Sequence, residues 1–338
     1  MSELRQEKSI GATPSVKRGG LSSRKTKTRV FIILMLAWPI AHFLVFWLYI
    51  NGRTLLLMFQ QFDRYGNVTG TPMSYYFVGL KNFIETFKDF FFSAENGGDI
   101  VLANAFKNSL TAFPLNIIVL LPMAYISAFV FFKKVRFSNV FRVLFYLPSI
   151  VSIVILTMLY KYMFDSKFGP VYQMFSWVGY TPNWFDLTTK SSTIWPLIYV
   201  YCIWAGLGMN VILISGAMSR IPAEVLESGK LDGVGFWREC VQIVLPLIWP
   251  TISTLIVMGT MSVFGFMIQP YLLAGEGGGY EGQTMTISLY IFSIVRLNSS
   301  KAAAVSAATT GMMFCILLTP FVFVIKWLTE KFGRDVEF

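Results

Sequence analysis

One histidine, three cysteines and a charged fraction of only 14% in 338 residues leave little catalytic material. With His42 as the single imidazole, the sequence has neither a Ser/His/Asp pattern nor a cluster of metal ligands. Cys202, Cys240 and Cys315 are odd in number and far apart, each in or beside an apolar segment. That predicts reduced, packed thiols and neither a disulfide frame nor a metal site. No GxxxxGK(S/T) phosphate cradle occurs, and the glycine-rich stretch 275–279 lacks the Lys and Ser/Thr that would have to follow it. ATP therefore has no seat of that kind in this chain. Catalysis, a bound cofactor and a metal are not expected.

What the sequence has in excess is apolar surface: 55% hydrophobic residues and a mean hydropathy of +0.59. A water-soluble domain of this length could not cover that much, so the bilayer must be the solvent for most of it. Six apolar runs, at about 30–50, 108–132, 140–161, 194–218, 246–273 and 302–326, each approach the roughly 20 residues needed to cross a ~30 Å hydrocarbon layer. In lipid, isolated runs of that length satisfy their backbone only as helices. The expected fold class is all-α, a polytopic membrane protein of six transmembrane helices. The first run has no small-residue cleavage pattern behind it and is expected to be a retained helix.

The net charge of +10 matters through its placement, and no nucleic acid is expected as a partner. With the N-terminus inside, 18 Lys and Arg fall on the inner side and 10 on the outer, while the acidic residues divide 9 and 9. The positive-inside rule then puts both termini in the cytoplasm, with Lys133, Lys134, Arg136 and Arg142 as the clearest single indication. Residues 1–29 form a flexible basic tail, 30–332 the transmembrane domain and 333–338 a second tail. Within the domain, 51–107 is a long outer loop, 275–282 (GEGGGYEG) a pliable outer loop and 219–245 an inner one. The cores of the runs contain no Asp, Glu, Lys or Arg, which argues against an ion-coupled carrier powered by its own intramembrane charges. His42 is read as a packed or interfacial side chain.

The inner loop SRIPAEVLESGKLDGVGFWRECVQIVLP has the most specific pattern. Pro222 suits a first helical position and Glu224 complements the positive helix end. Ile221, Val225 and Leu226 give the short helix an apolar side. Gly233 allows a turn, and a second amphipathic helix leads through Trp237 towards Pro246. The product is a helix-turn-helix ledge, too charged to enter lipid.

Glu227-Ser228-Gly229, three residues, Gly233, nine residues, then Ile243-Val-Leu245-Pro246 resembles the EAA loop of ABC importer permeases, whose pattern is Glu-Ala-Ala, three residues, Gly, nine residues, Ile-x-Leu-Pro. The chain departs at both alanines, and both replacements remain small. Phe77-Val-Gly79-Leu80-Lys81-Asn82-Phe83, Arg142-Val-Leu-Phe-Tyr-Leu147-Pro148, Phe164-Asp165 with Gly169, and Trp204-Ala-Gly206 resemble landmarks of the carbohydrate (maltose-type, binding-protein-dependent) members. The resemblance covers roughly 30–332 and lacks one family Trp near Leu159-Tyr160.

It implies a permease subunit in the bacterial cell membrane, paired with a second permease as a heterodimer. Two ABC ATPase subunits binding ATP and Mg would sit below, and an extracellular solute-binding protein would land on the outer loops. By the same resemblance, Glu224, Glu227, Ser228, Gly229, Asp232 and Gly233 would couple to the ATPase, with Ile243, Leu245 and Pro246 holding the ledge to the fifth helix. Related permeases bind sugar on helices four and five. The corresponding residues here are Cys202, Trp204, Gly206, Met209 and Asn210, then Ser262, Phe264, Gly265, Phe266 and Gln269. A sugar path needs aromatic faces and a few hydrogen-bonding groups. An anionic solute such as glycerol phosphate would call for basic residues, and the cores have none. A membrane-embedded enzyme or scaffold would instead need an intramembrane catalytic constellation or a ledge without an ATPase partner.

Overall fold

The computed structural model describes residues 20–91, 100–165, 168–180, 193–298 and 300–333. By contact the chain divides into two units, Met1–Leu56 and Leu57–Phe338. The first consists, in its described part, of one helix, α1, helical from Gly20 and apolar over Thr26–Leu57. The basic residues from Gly20 onward that were assigned to a tail are thus helical, and the helix outlasts the predicted end at 50. Apolar side chains ring it on every face, as a helix surrounded by lipid requires.

The second unit holds the remaining elements. A hairpin of β1 (Gln60–Asp63) and β2 (Ser74–Phe77) leads to the short amphipathic α2 (Lys81–Phe91). Then come α3 (Ile100–Phe132), the pair α4 (Ser138–Ile150) and α5 (Ile153–Met163), the short α6 (Pro170–Ser176) and α7 (Ile194–Met218). The chain continues as α8 (Ala223–Leu231), α9 (Phe236–Leu247), α10 (Trp249–Gly265), α11 (Ile268–Ala274), α12 (Ile287–Asn298) and α13 (Lys301–Phe332). Among the described residues four helices (α1, α3, α7 and α13) are long and apolar enough to cross a bilayer, or six if each bent pair counts as one span. The chain is an all-α, multi-pass membrane protein.

Two predicted spans are broken. The run at 140–161 turns by 105° between α4 and α5, where Val151 is extended and Ser152 starts the new helix. Pro148 lies just before the break and withholds an N–H from the turn ahead of it. The run at 246–273 is interrupted at Phe266–Met267. Carbonyls released at such a break must find donors, because lipid offers none. Here the Ser288 hydroxyl donates to the Phe264 carbonyl and the Thr286 hydroxyl to that of Phe266. The donors come from α12 and the residue before it, an element of twelve residues too short to read as a span. The residues that follow the loop at 275–282 are tied to the core. Asn108 of α3 donates to the carbonyls of Gln283 and Met285 at 3.0 and 2.7 Å, and Trp195 of α7 donates to that of Gln283 at 2.8 Å.

Within the segment 51–107, predicted as an outer loop, α1 runs to Leu57 and α3 starts at Ile100, with the hairpin and α2 between them in sequence. Asn82 is its buried hub, donating to the carbonyls of Met58 and Gln60 and accepting from Gln61. Asp63 closes the hairpin by accepting from the backbone N–H groups of Thr69, Val68, Asn67 and Gly66. Those donors, led by Thr69 and Val68, outweigh partial burial and hold its carboxyl at about 2 against an ordinary 3.8. A folded value below the unfolded one means that the stabilisation is fully present above pH 3.8 and is lost as pH falls through about 2. In Asp63→Asn, hydrogen exchange at the amides of 66–69 should already rise at pH 7, with α7 unchanged. In the wild type the same protection should persist to about pH 4 and then fade. Equal exchange in both proteins at pH 7 would remove Asp63 from this role.

Candidate functional site

The ledge between α7 and α10 forms as two short helices, α8 and α9, joined by a turn. Pro222 caps α8, one position earlier than its predicted place inside the helix, and Glu224 lies in the first turn. At the other end the Gly233 N–H donates to Lys230 O at 3.1 Å and the Val234 N–H to Gly229 O at 3.0 Å. This paired closure requires a left-handed residue, and Gly233 supplies it at φ 71°. Gly229 is buried, and a Cβ there would stand 2.9 Å from the Ile243 Cδ1, so α8 lies directly on α9. Ile221 is buried and Leu226 is packed into the core beside it.

The predicted coupling residues therefore divide. Glu224, Glu227, Ser228, Asp232 and Gly233 are exposed, whereas Gly229, Ile243, Leu245 and Pro246 face inward to differing degrees. Pro246 lies inside α9, and the 77° bend into α10 follows it at Ile248. The two most exposed apolar side chains on the ledge are not among the predicted coupling residues: Leu231, 89% exposed, and Trp237, 64% exposed. Large apolar groups at the tip of a charged shelf call for a covering partner.

The seat of the ledge was also missed. Tyr125, Phe129 and Lys133 recur every four residues on α3 and so share one face. Tyr125 Oη donates to the Cys240 carbonyl at 2.6 Å, Phe129 lies 4.9 Å from the Phe236 ring, and Lys133 pairs with Glu239. In the sequence Lys133 counted only as one positive charge among several, and Glu239 as one residue of an amphipathic helix. Nothing local marks them as partners 106 positions apart.

A second candidate region is a cavity of about 410 Å³ between α3, the α4–α5 bend, α7, α10 and α11. Cys202, Gly206, Met209, Asn210, Ser262, Phe266 and Gln269, all predicted for the pathway, line it. Trp204, Phe264 and Gly265 do not. Trp204 stacks beside Tyr160 with ring centres 6.3 Å apart, Phe264 packs with Leu102 and Phe314, and Gly265 is exposed. The helical period explains the loss, since consecutive residues on one helix cannot all face the same cavity.

Asn116, Ser149 and Tyr201 line the cavity without having been predicted. Asn116 lies in a π-helical segment, Leu115–Leu120, which follows Pro114. Such wide turns reset which residues face inward and are frequent at functional sites. Gly259 opposite leaves room for its amide, because a Cβ there would stand 2.7 Å from Asn116 Oδ1. An amide alone in an apolar run was the available signal.

Ser149, Ser262 and Asn210 spend donors on their own helices, at the carbonyls of Tyr146, Gly259 and Gly206. Among the described residues, the amides of Asn116 and Gln269 have no hydrogen-bond partner and so offer both donor and acceptor to the cavity. Among the described residues no charged side chain lines it. Such a wall suits an uncharged ligand rich in hydroxyls, with Phe266 as an apolar face.

A family model described as "binding-protein-dependent transport system inner membrane component" matches residues 99–337. The chain is 27% identical over 277 residues to the lactose transport system permease protein LacF of Rhizobium radiobacter, covering 81% of this chain and 87% of that one. It is also 27% identical over 282 residues to the sn-glycerol-3-phosphate transport system permease protein UgpA of Yersinia enterocolitica, covering 83% and 89%. Its fold superposes with a TM-score of 0.72 and 22% identity on a chain of a bacterial ABC transporter involved in the import of the acidic polysaccharide alginate, covering 93% of this chain and 100% of that one.

Proposed function

The chain belongs to the family of binding-protein-dependent transport system inner membrane components and is a permease subunit of an ABC importer; on that premise we propose that it passes a neutral sugar, driven by a separate ATPase docked on the ledge. The observation that carries the solute assignment is the cavity wall: two amides without partners, hydroxyls, an aromatic face and no charge. A sugar presents hydroxyls that both donate and accept, which Asn116 and Gln269 match, and CH faces that Phe266 matches. A cavity of about 410 Å³ has room for a ligand of one or two sugar rings. A phosphate ester would enter this wall without a counter-charge, at a large desolvation cost.

The positive-inside count puts the ledge and both termini in the cytoplasm, within reach of the ATPase. On the ledge, Glu227 and Asp232 offer charge, while Leu231 and Trp237 offer apolar surface to the groove that receives them. Two ATPase subunits and a second permease complete the complex. An extracellular binding protein lands on the opposite side, over the hairpin and the 275–282 loop.

Uptake into vesicles carrying the assembled importer tests the solute. Excess unlabelled lactose or maltose should suppress ATP-dependent uptake of its labelled form, and glycerol 3-phosphate should not compete. Asn116→Ala and Gln269→Ala should each raise the half-saturating sugar concentration at least tenfold, the loss expected when a hydrogen bond to a buried polar ligand group is removed. Uptake of glycerol 3-phosphate with no competition from either sugar would overturn the neutral-sugar reading and leave the importer assignment standing.

A further inference from the structure

We propose that Lys133 and Glu239 form a clamp that makes the ledge and the adjoining end of α3 one moving body, so that α3 carries the ATPase's motion to the cavity wall. The inference rests on the reading that the ledge docks the ATPase.

Three contacts join the two elements along one stripe of α3: the ion pair at Lys133, the ring contact at Phe129 and the hydrogen bond from Tyr125 to the Cys240 carbonyl. The Lys133 ammonium also lies over the Phe129 ring, 5.7 Å from its centre, which ties the stripe together. The ion pair is enclosed, with side-chain exposures of 22% for Lys133 and 7% for Glu239. An enclosed ion pair gives little net stability over apolar side chains of the same size, because desolvation offsets the attraction. If α3 and α9 needed only to adhere, leucine and methionine would serve equally well. What the charges add is a single register, since sliding by one turn would part them.

The same helix reaches the cavity. From Lys133 back to Asn116 is about 25 Å along the axis at 1.5 Å per residue. Ala112, Leu115, Asn116 and Leu120 form that part of the wall. Both ends of the link contain π-helical turns, Leu115–Leu120 in α3 and Glu239–Val244 in α9, a form that recurs at functional sites. A force applied at α8 therefore passes through Gly229 on Ile243 into α9, across the clamp, and along α3 to Asn116. A second route, from α9 straight into α10, crosses a 77° bend and transmits an axial push poorly, while a third, from α8 back into α7, reaches the cavity along a helix that packs beside α3.

The test uses the whole importer with ATP and vanadate as the only added probes. Spin labels on ketone-bearing residues, which leave the native cysteines untouched, replace Val241 on α9, Ile118 on α3 and Phe323 on α13, all exposed. In the wild type, the 241–323 distance should change on trapping ATP with vanadate while 241–118 stays fixed. In Lys133→Met and in the isosteric Glu239→Gln, 241–118 should change as well, and Lys133→Arg should hold it as the wild type does. A 241–118 distance that varies in the wild type, or stays fixed in both neutral variants, overturns the clamp. A wild-type 241–323 distance that ignores nucleotide overturns instead the docking reading beneath it.

Discussion

Gly233→Val is expected to weaken the ATPase's grip on the assembled permease at least tenfold and to stop uptake, while the chain still inserts in the membrane. Gly233 sits at φ 71°, in the left-handed region. A side chain there costs roughly 1–2 kcal/mol, and more when branched at Cβ. Two hydrogen bonds close over this residue, at 3.1 and 3.0 Å. If valine forces them open, each adds about 1 kcal/mol. About 1.4 kcal/mol already corresponds to a factor of ten in the fraction of ledges that keep the docking shape. Gly233→Asn is the control, because asparagine tolerates the left-handed region and should retain most of the affinity. The measurement is the dissociation constant between solubilised permease and ATPase, beside uptake in vesicles. A valine variant that binds the ATPase as tightly as the wild type would detach the ledge from docking.

The second large effect is on stability. Thr286→Val removes the hydroxyl that serves the Phe266 carbonyl at the break between α10 and α11. Thr286 is fully buried and valine has nearly its shape, so the change subtracts the hydroxyl, which also accepts from the Leu289 N–H at 3.4 Å, and little else. An abandoned buried carbonyl costs about 1–3 kcal/mol, and no lipid group can replace the donor. The solubilised protein should therefore unfold at a clearly lower temperature than the wild type. Phe266 lines the cavity, so sugar uptake should weaken as well. Thr254→Val is the comparison: its hydroxyl bonds only to Pro250 of its own helix, at 2.9 Å, in an exposed position. Equal unfolding temperatures for the two variants would show that the break is satisfied by other means.

Both variants act at places where local reading and the fold have different reach. The ledge was legible because its signals are local. Glu227, Gly233 and Ile243-Val-Leu245-Pro246 stand at set spacings within one loop, and the charge that keeps them out of lipid is visible residue by residue. The clamp was illegible because Lys133 and Glu239 acquire meaning only when α3 and α9 meet. Asn116 stands between these cases: it was visible as an amide in an apolar run, but whether it faced the cavity depended on the π-helical turn that resets the face of α3. Trp204, Phe264 and Gly265 mark the same limit from the other side, having the right composition and the wrong azimuth.

By itself the sequence determined the solvent, the helical class, the apolar runs and the position of the ledge, since hydrophobic length and short-range spacing are properties of the chain alone. Only the tertiary structure decided that two runs break, that α12 supplies the donors for one break, which side chains share the cavity, and which helix the ledge grips. Those outcomes turn on carbonyls that must find donors in a medium without water, and on helical faces that are set only by what packs against them.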